Sequence, residues 1–189
     1  LPHIVIREAA IAAVLDKVAL DKHLTAEGQD FYKINPQASA PALALDDGEV
    51  LTENTVILQY LAALAPQAKL APREGVAMWR LREMLNFIAT ELHKGFSPLF
   101  RKPAPELRES LVKNVLQRLK AVVGKVRRPA LFNGRSVHGG RPLRHRDPTL
   151  GQAFELDLGP LPNLMEFTDR VRTRPHVQET LDQEGLPGS

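Results

Sequence analysis

Asn35–Leu61 reads N-P-Q-A-S-A-P-A-L-A-L-D-D-G-E-V-L-T-E-N-T-V-I-L-Q-Y-L, and the rest of the chain is read outward from it. A short polar and alanine-rich approach ends in Ala40-Pro41. Ala42–Leu45 and Glu49–Leu51 then flank Asp46-Asp47-Gly48, a hairpin signal in which the glycine supplies the positive φ of a tight turn. The polar step Thr52-Glu53-Asn54 opens an amphipathic helix, with Thr52 or Asn54 able to cap it. Val56, Ile57, Tyr60, Leu61 and Leu64 follow at helical spacing.

Upstream, Ile4, Ile6 and Ile11 among alanines predict a helix from Pro2 within residues 1–13. Val14–Leu20 alternates loosely as a strand does. Asp21–Asp30 is polar and broken by Gly28, and Phe31–Ile34 reads as a helical turn closed by Asn35-Pro36. Downstream, Ala65–Glu74 holds Pro66 and Pro72 and reads as a linker between domains at 1–65 and 74–189. From Gly75 the pattern is one of long helices. Met78, Leu81, Leu85, Ile88, Leu92 and Phe96 form a core stripe, and Glu83, Asn86, Thr90, His93 and Ser97 form a polar stripe beside it. Leu107, Leu111, Val115, Leu119 and Val122 mark a helix ending near Gly124. Leu164, Phe167 and Val171 mark another, and Pro175–Leu181 a last one, ended near Gly185.

The 189 residues, 43% hydrophobic and 25% charged, are ordinary for a globular chain able to bury a core. No apolar run reaches the ~18 residues of a membrane span, and the start lacks the basic and apolar regions of a signal peptide. With no cysteine the chain has no disulfide, zinc-thiolate site or cysteine nucleophile of its own, which fits the cytoplasm.

The formal charge of +3 is concentrated locally. Lys125, Arg127, Arg128, Arg135, Arg141, Arg144 and Arg146 face only Asp147, so Gly124–Pro148 carries about +6 and the remainder about −3. This run lacks interleaved aromatics, which argues against nucleic-acid binding. The surrounding segment, 129–160, is rich in glycine and proline without helical period. Loops longer than ~12–15 residues are uncommon in compact domains.

Four separated motifs carry a family resemblance. Ser39-Ala40-Pro41-Ala42-Leu43 resembles the x-V-P-A-L motif of glutathione transferases, in which the proline is cis. Leu51-Thr52-Glu53-Asn54 with Ile57, Tyr60 and Leu61 resembles their L-x-E-S-x-A-I-x-x-Y-L. Asn86–Phe100, with Ala89-Thr90-Glu91-Leu92-His93-Lys94-Gly95-Phe96, resembles the active-site helix of the bacterial beta class, and Arg174-Pro175 through Glu184-Gly185-Leu186 its C-terminus. The resemblance covers roughly 1–123 and 153–187. It implies an α/β, thioredoxin-like N-terminal domain followed by an all-helical C-terminal domain.

The resemblance also implies a site. Ala40, beside a cis Pro41, would pair its backbone with the cysteinyl part of glutathione as an added strand does. Glu53 and Asn54 would hold the γ-glutamyl end, a carboxylate for its ammonium and a helix N-terminus for its carboxylate. His93, the implied catalytic residue, would donate near the sulfur. Asn86 lies on the same polar stripe, and Lys94 would offer charge to a carboxylate. Where the class has a lysine for the glycyl carboxylate, this chain has His23, preceded by Lys22. Read from the residues alone, Pro41 is more often a trans turn proline and His93 more often a structural histidine, while Asn54 reads as a helix cap and Lys94 as a snorkelling surface lysine.

Two departures accompany the match. The family opens with a strand and a turn of the form K-L-F/Y-x-x-P-G-A-C-S, carrying the catalytic cysteine or serine region; the reading expects that segment to be missing before Leu1. Where the family has N-G-x-x-F-S-V-A-D-A-Y-L-Y, this chain has Asn133-Gly134-Arg135-Ser136-Val137 and then a Gly/Arg run. With permissible codons, Gly139–Pro148 read one base later spells A-D-A-L-Y-V-T-V-T. Residues 135–152 are therefore read as the product of a local frameshift in the gene or its sequencing, restored before Ala153.

The implied activity is conjugation of the glutathione sulfur to small hydrophobic electrophiles. Glutathione would be the co-substrate, no metal would be needed, and the protein would be a homodimer without nucleic-acid or membrane partners. The alternative is a non-catalytic protein that binds glutathione or hydrophobic molecules on the same scaffold.

Overall fold

A computed structural model of the protein describes residues 2–126, 154 and 156–185, with the side chains of 124–126 left aside. The frameshift reading at 135–152 and most of the 129–160 segment lie outside the described residues. The chain divides into two compact units between Arg73 and Glu74.

In the first unit, helix α1 spans Pro2–Glu8. It stops well short of residue 13 because Ala10 takes a left-handed backbone, φ +51°. The Ala10 N–H bonds to the Arg7 carbonyl at 3.0 Å and the Ile11 N–H to the Ile6 carbonyl at 2.9 Å, the paired closure of a Schellman end. An alanine holds the position usually taken by glycine, so the stop left no mark in the sequence. Ile11 packs in the same cluster as Ile6, the hydrophobic contact that accompanies such an end.

The strand expected over Val14–Leu20 shrinks to β1, Val18–Ala19, antiparallel to β2, Leu24–Thr25, with Val18 opposite Thr25. Val14 is 97% exposed, since residues 14–17 find no ladder partner among the described residues and alternation alone does not make a strand. Phe31–Lys33 forms a 3-10 turn, capped by Asp30, which accepts from the Tyr32 N–H at 3.0 Å.

The hairpin forms as expected from β3, Leu43–Ala44, and β4, Val50–Leu51. Gly48 at φ +86° closes its turn, and its N–H bonds to the Leu45 carbonyl at 3.0 Å. The described strands make two separate two-stranded ladders, β1-β2 and β3-β4.

Helix α2, Asn54–Leu64, buries Ile57 and Leu61, four residues apart on one face. They pack with Ile6, Val5 and Ile11 from the N-terminal segment and with Leu43 and Leu51 of the hairpin. Neither Thr52 nor Asn54 caps α2. The cap position is Glu53, at φ +64°, and it makes no side-chain cap bond. Side-chain capping uses an extended backbone at that position, which Glu53 does not have.

Every regular element among the second unit's described residues is helical. The expected single helix from Gly75 is a run of four pieces: α3 (Gly75–Phe87), a π turn (Ile88–His93), α4 (Lys94–Phe96) and a 3-10 turn (Ser97–Arg101). The buried positions match the expected stripe only in part. Met84, off the stripe, is buried on α3, while Met78, Leu81 and Leu85 are only half-buried. Beyond the π turn Phe96, on the stripe, is buried as expected.

Helix α5, Pro105–Val126, runs beyond Gly124. α6, Pro162–Arg172, and α7, Pro175–Gln183, both start on proline, whose missing N–H costs nothing in a first turn. The core joins Phe96 and Leu99 to Val115 and Leu119 of α5 and to Leu156 and Leu161. Among the described residues no helix is long and apolar enough to cross a membrane.

Ile57 and Val56 are neighbours on α2, one 1% and the other 45% exposed. Ile57→Ala is expected to lower unfolding stability by about 2–5 kcal/mol and Val56→Ala by less than ~1 kcal/mol, measured by urea unfolding.

Candidate functional site

The hairpin register brings two of the sequence-read pairs together. Leu43 lies opposite Leu51. Ala40-Pro41 therefore precedes β3, and Glu53-Asn54 follows β4, at the same open end of the hairpin, where α2 begins. The Ala40–Pro41 peptide is cis. Ala40 and Glu53 are exposed, while Pro41 and Asn54 are half-buried.

Glu53 combines its left-handed backbone with a carbonyl that accepts from the Val56 and Ile57 N–H groups, at 2.9 and 3.0 Å. Its carboxylate makes no hydrogen bond or ion pair among the described residues. The Oδ1 of Asn54 is buried and has no hydrogen-bond partner among the described residues. The start of α2 thus pairs unengaged polar side chains with a helix N-terminus, whose first N–H groups have no partner within the helix. Chemically, this suits a small zwitterion, with the carboxylate of Glu53 matching a cation and the helix end an anion.

The approach to this end is held by Asn35, 1% exposed. Its Nδ2 donates to the Ser39 carbonyl at 2.8 Å, and its Oδ1 accepts from the Gln37 N–H at 3.1 Å. Reading the sequence, Asn35-Pro36 registered only as a turn. The additional signal was the residue type itself, since an asparagine side chain readily bonds backbone two residues on.

His23 and Lys22 sit in the turn between β1 and β2. Lys22 is exposed and His23 half-buried. His23 is left-handed at φ +53°, its ring centroid lies 4.7 Å from that of Tyr32, and its Nδ1 is buried without a hydrogen-bond partner among the described residues. Its carbonyl accepts from the Phe31 N–H at 2.8 Å, and the Phe31 carbonyl in turn accepts from the Asn35 N–H at 2.9 Å. A backbone path thus links the His23 turn to the Asn35 anchor.

The other sequence-read residues lie in the second unit, on the run that begins with α3. Asn86, His93 and Lys94 are all exposed. The Asn86 carbonyl accepts from the Thr90 hydroxyl at 3.0 Å. His93 closes the π turn and Lys94 opens α4; neither side chain makes a hydrogen bond or ion pair among the described residues. The π turn itself and the Glu91–Arg118 ion pair at 2.9 Å had no signal in the sequence pattern.

Residues 2–64 match the family model described as glutathione S-transferase, N-terminal domain. The chain is 38% identical over 191 residues to the Escherichia coli O157:H7 protein named glutathione S-transferase GstA, covering 97% of this chain and 92% of that one. Among solved structures it is similar to a ternary complex of BphK, a bacterial glutathione S-transferase, at TM-score 0.85 and 36% identity, covering 98% of this chain and 94% of that one. It is also similar to a sphingomonad glutathione S-transferase complexed with glutathione, at TM-score 0.82 and 32% identity, with the same 98% and 94% coverage.

Asn35→Ala leaves the Ser39 carbonyl and the Gln37 N–H without their partner. It is expected to cost about 1–3 kcal/mol in urea unfolding and to speed hydrogen exchange at Gln37 and Ala38.

Proposed function

Because the chain belongs to the glutathione S-transferase family, we propose that it conjugates the sulfur of glutathione to small hydrophobic electrophiles, as a cytoplasmic detoxifying enzyme. Its fold is the family's thioredoxin-like N-terminal domain followed by an all-helical C-terminal domain, and its solved neighbours include a bacterial beta-class member. The observation that carries the proposal is the hairpin end at which the cis Ala40–Pro41 peptide meets Glu53 and Asn54 at the start of α2.

In this reading, the Ala40 N–H and carbonyl pair with the cysteinyl backbone of glutathione. The Glu53 carboxylate takes the γ-glutamyl ammonium, and Asn54 with the first turn of α2 takes the neighbouring carboxylate. Lys22 and His23 serve the glycyl carboxylate. The Oδ1 of Asn54, unpartnered among the described residues, supports this reading, since it is an acceptor that the γ-glutamyl ammonium beside Glu53 can satisfy, and a buried polar atom left unpaired is costly.

The reaction needs the thiol as thiolate, the form that attacks carbon. The thiol proton passes to solvent water, the thiolate forms a sulfur–carbon bond, and the electrophile's leaving group departs with the electron pair of the bond that breaks. His93 donates a hydrogen bond toward the sulfur, and Lys94 and Asn86 provide charge and polarity on the same exposed run. A hydrogen bond to the sulfur favours its charged form, so a larger share of bound glutathione stands as the thiolate that attacks. The homodimer belongs to the same proposal. α3 offers a face for it, with Val76 72% and Trp79 61% exposed about one turn apart.

Immobilised glutathione is expected to retain the protein, and a conjugation assay with a small aryl halide to show turnover; retention without turnover selects the non-catalytic binding protein instead. Glu53→Gln is expected to weaken glutathione binding roughly tenfold with the fold intact, the loss of one charge-assisted hydrogen bond. His93→Ala is expected to lower kcat by about 10²-fold while glutathione affinity holds. For the dimer, Trp79→Ala is expected to shift sedimentation toward monomer; since Trp79 is the sole tryptophan, its emission in the parent protein is expected to shift red on dilution.

A further inference from the structure

We infer that the ion pair between Glu91 and Arg118 is a positioning device for His93, an inference that rests on the reading of His93 as the sulfur-side donor. The π turn Ile88–His93 joins α3 to α4, and His93 is its last residue. A π turn is an uncommon geometry that an isolated helix does not choose, so side-chain ties must hold it. Two polar ties are visible. Within the run, the Thr90 hydroxyl bonds the Asn86 carbonyl at 3.0 Å, a back-bond of the kind that bends helices. From outside it, Arg118 on α5 binds the Glu91 carboxylate, Nε to Oε2, at 2.9 Å.

Leu92 packs onto the core that contains Val115 and Leu119 of α5, so the turn is seated on α5 by apolar contact too. That contact fixes distance but leaves rotation about the helix axis soft. Glu91 supplies the rotational constraint. Residues two apart on a helix point to roughly opposite sides, so holding Glu91 toward α5 turns His93 away from it. His93 is accordingly exposed and unpaired among the described residues. Glu91 and Arg118 are each about two-fifths exposed, 43% and 40%. A pair that accessible contributes little to global stability, so its effect on the facing of His93 is separable from folding.

The test is Arg118→Leu in the full chain, beside Arg118→Lys and the exchanged pair Glu91→Arg with Arg118→Glu. In Arg118→Leu, amide hydrogen exchange at 88–93 is expected to rise about tenfold with 105–115 unchanged, and the His93 imidazole proton resonance to move. kcat is expected to fall about five- to tenfold at unchanged KM for glutathione, with Arg118→Lys and the exchanged pair recovering most of it. Unchanged exchange and an unmoved His93 resonance overturn the proposal, as does faster exchange throughout the unit, or faster local exchange with parental kcat. If the parent protein shows no turnover, the transferase reading fails separately. The His93 resonance then decides the positioning role alone, its movement supporting the role and its constancy overturning it.

Discussion

Asn35 is 1% exposed, and its amide commits both ends to the backbone of the next four residues. Nδ2 donates to the Ser39 carbonyl and Oδ1 accepts from the Gln37 N–H, while the backbone carbonyl of Asn35 takes the Ala38 N–H at 2.8 Å. An aspartate could not donate to Ser39, a glutamine would carry its amide one methylene too far, and an alanine would leave buried polar groups open. The loop into Ala40-Pro41 thus takes its shape from one side chain. From that loop the chain enters β3, the hairpin register sets where β4 ends, and the end of β4 sets where α2 begins. Glu53 and Asn54, the side chains proposed to hold the γ-glutamyl end of glutathione, are downstream of this single satisfied amide.

What the sequence disclosed, and what it hid, follow from the range of the interaction involved. Gly48 was legible because a left-handed turn residue has a residue-type signature, and the hairpin it closes pairs Leu43 with Leu51. Ile57 and Leu61 were legible because helical spacing puts them on one face, and both are 1% exposed. The motif around Ala40-Pro41 indicated a cis peptide that spacing alone would not show. By contrast, the Schellman end at Ala10 uses alanine where glycine is the usual sign, and Glu53 occupies the cap position of α2 with a backbone that no local rule predicts for glutamate. Val14 and Leu15 alternate as a strand would, yet they are exposed because strand formation depends on a partner and not on the segment itself.

The π turn is the clearest case of information outside local pattern. Met78, Leu81, Leu85, Ile88, Leu92 and Phe96 step by three or four, and nothing in that run announces an added residue. Phe96, on that stripe, reaches the core beyond the turn, and Met84 and Leu99 reach it off the stripe, so burial does not announce the turn either. It is tied in place by Arg118, twenty-seven residues beyond Glu91 in the chain. A periodicity argument is local, whereas the helix here is shaped by a neighbour.

The left-handed residues divide in a way that bears on function. Ala10, Lys69 and Lys102 stand just after helical segments, and each N–H bonds a carbonyl of the turn it ends: Arg7 at 3.0 Å, Pro66 at 3.2 Å and Leu99 at 3.2 Å. Their strain is local and is offset where it arises, as helix ends require. His23, Ala38 and Glu53 end no helical segment of either kind. They lie in the two turns and the loop from which the proposed glutathione site is built, and non-glycine residues in such backbone regions cost ~1–3 kcal/mol each unless their surroundings hold them there. Near two of the three, a buried polar atom is left unpaired: Nδ1 of His23 itself, and Oδ1 of Asn54 beside Glu53. Backbone strain and unsatisfied polarity both work against stability, and neither helps the other. Their coincidence in the unit that carries the proposed glutathione residues fits the proposal that this surface is shaped for a polar ligand, since a ligand that binds only the folded form stabilises it.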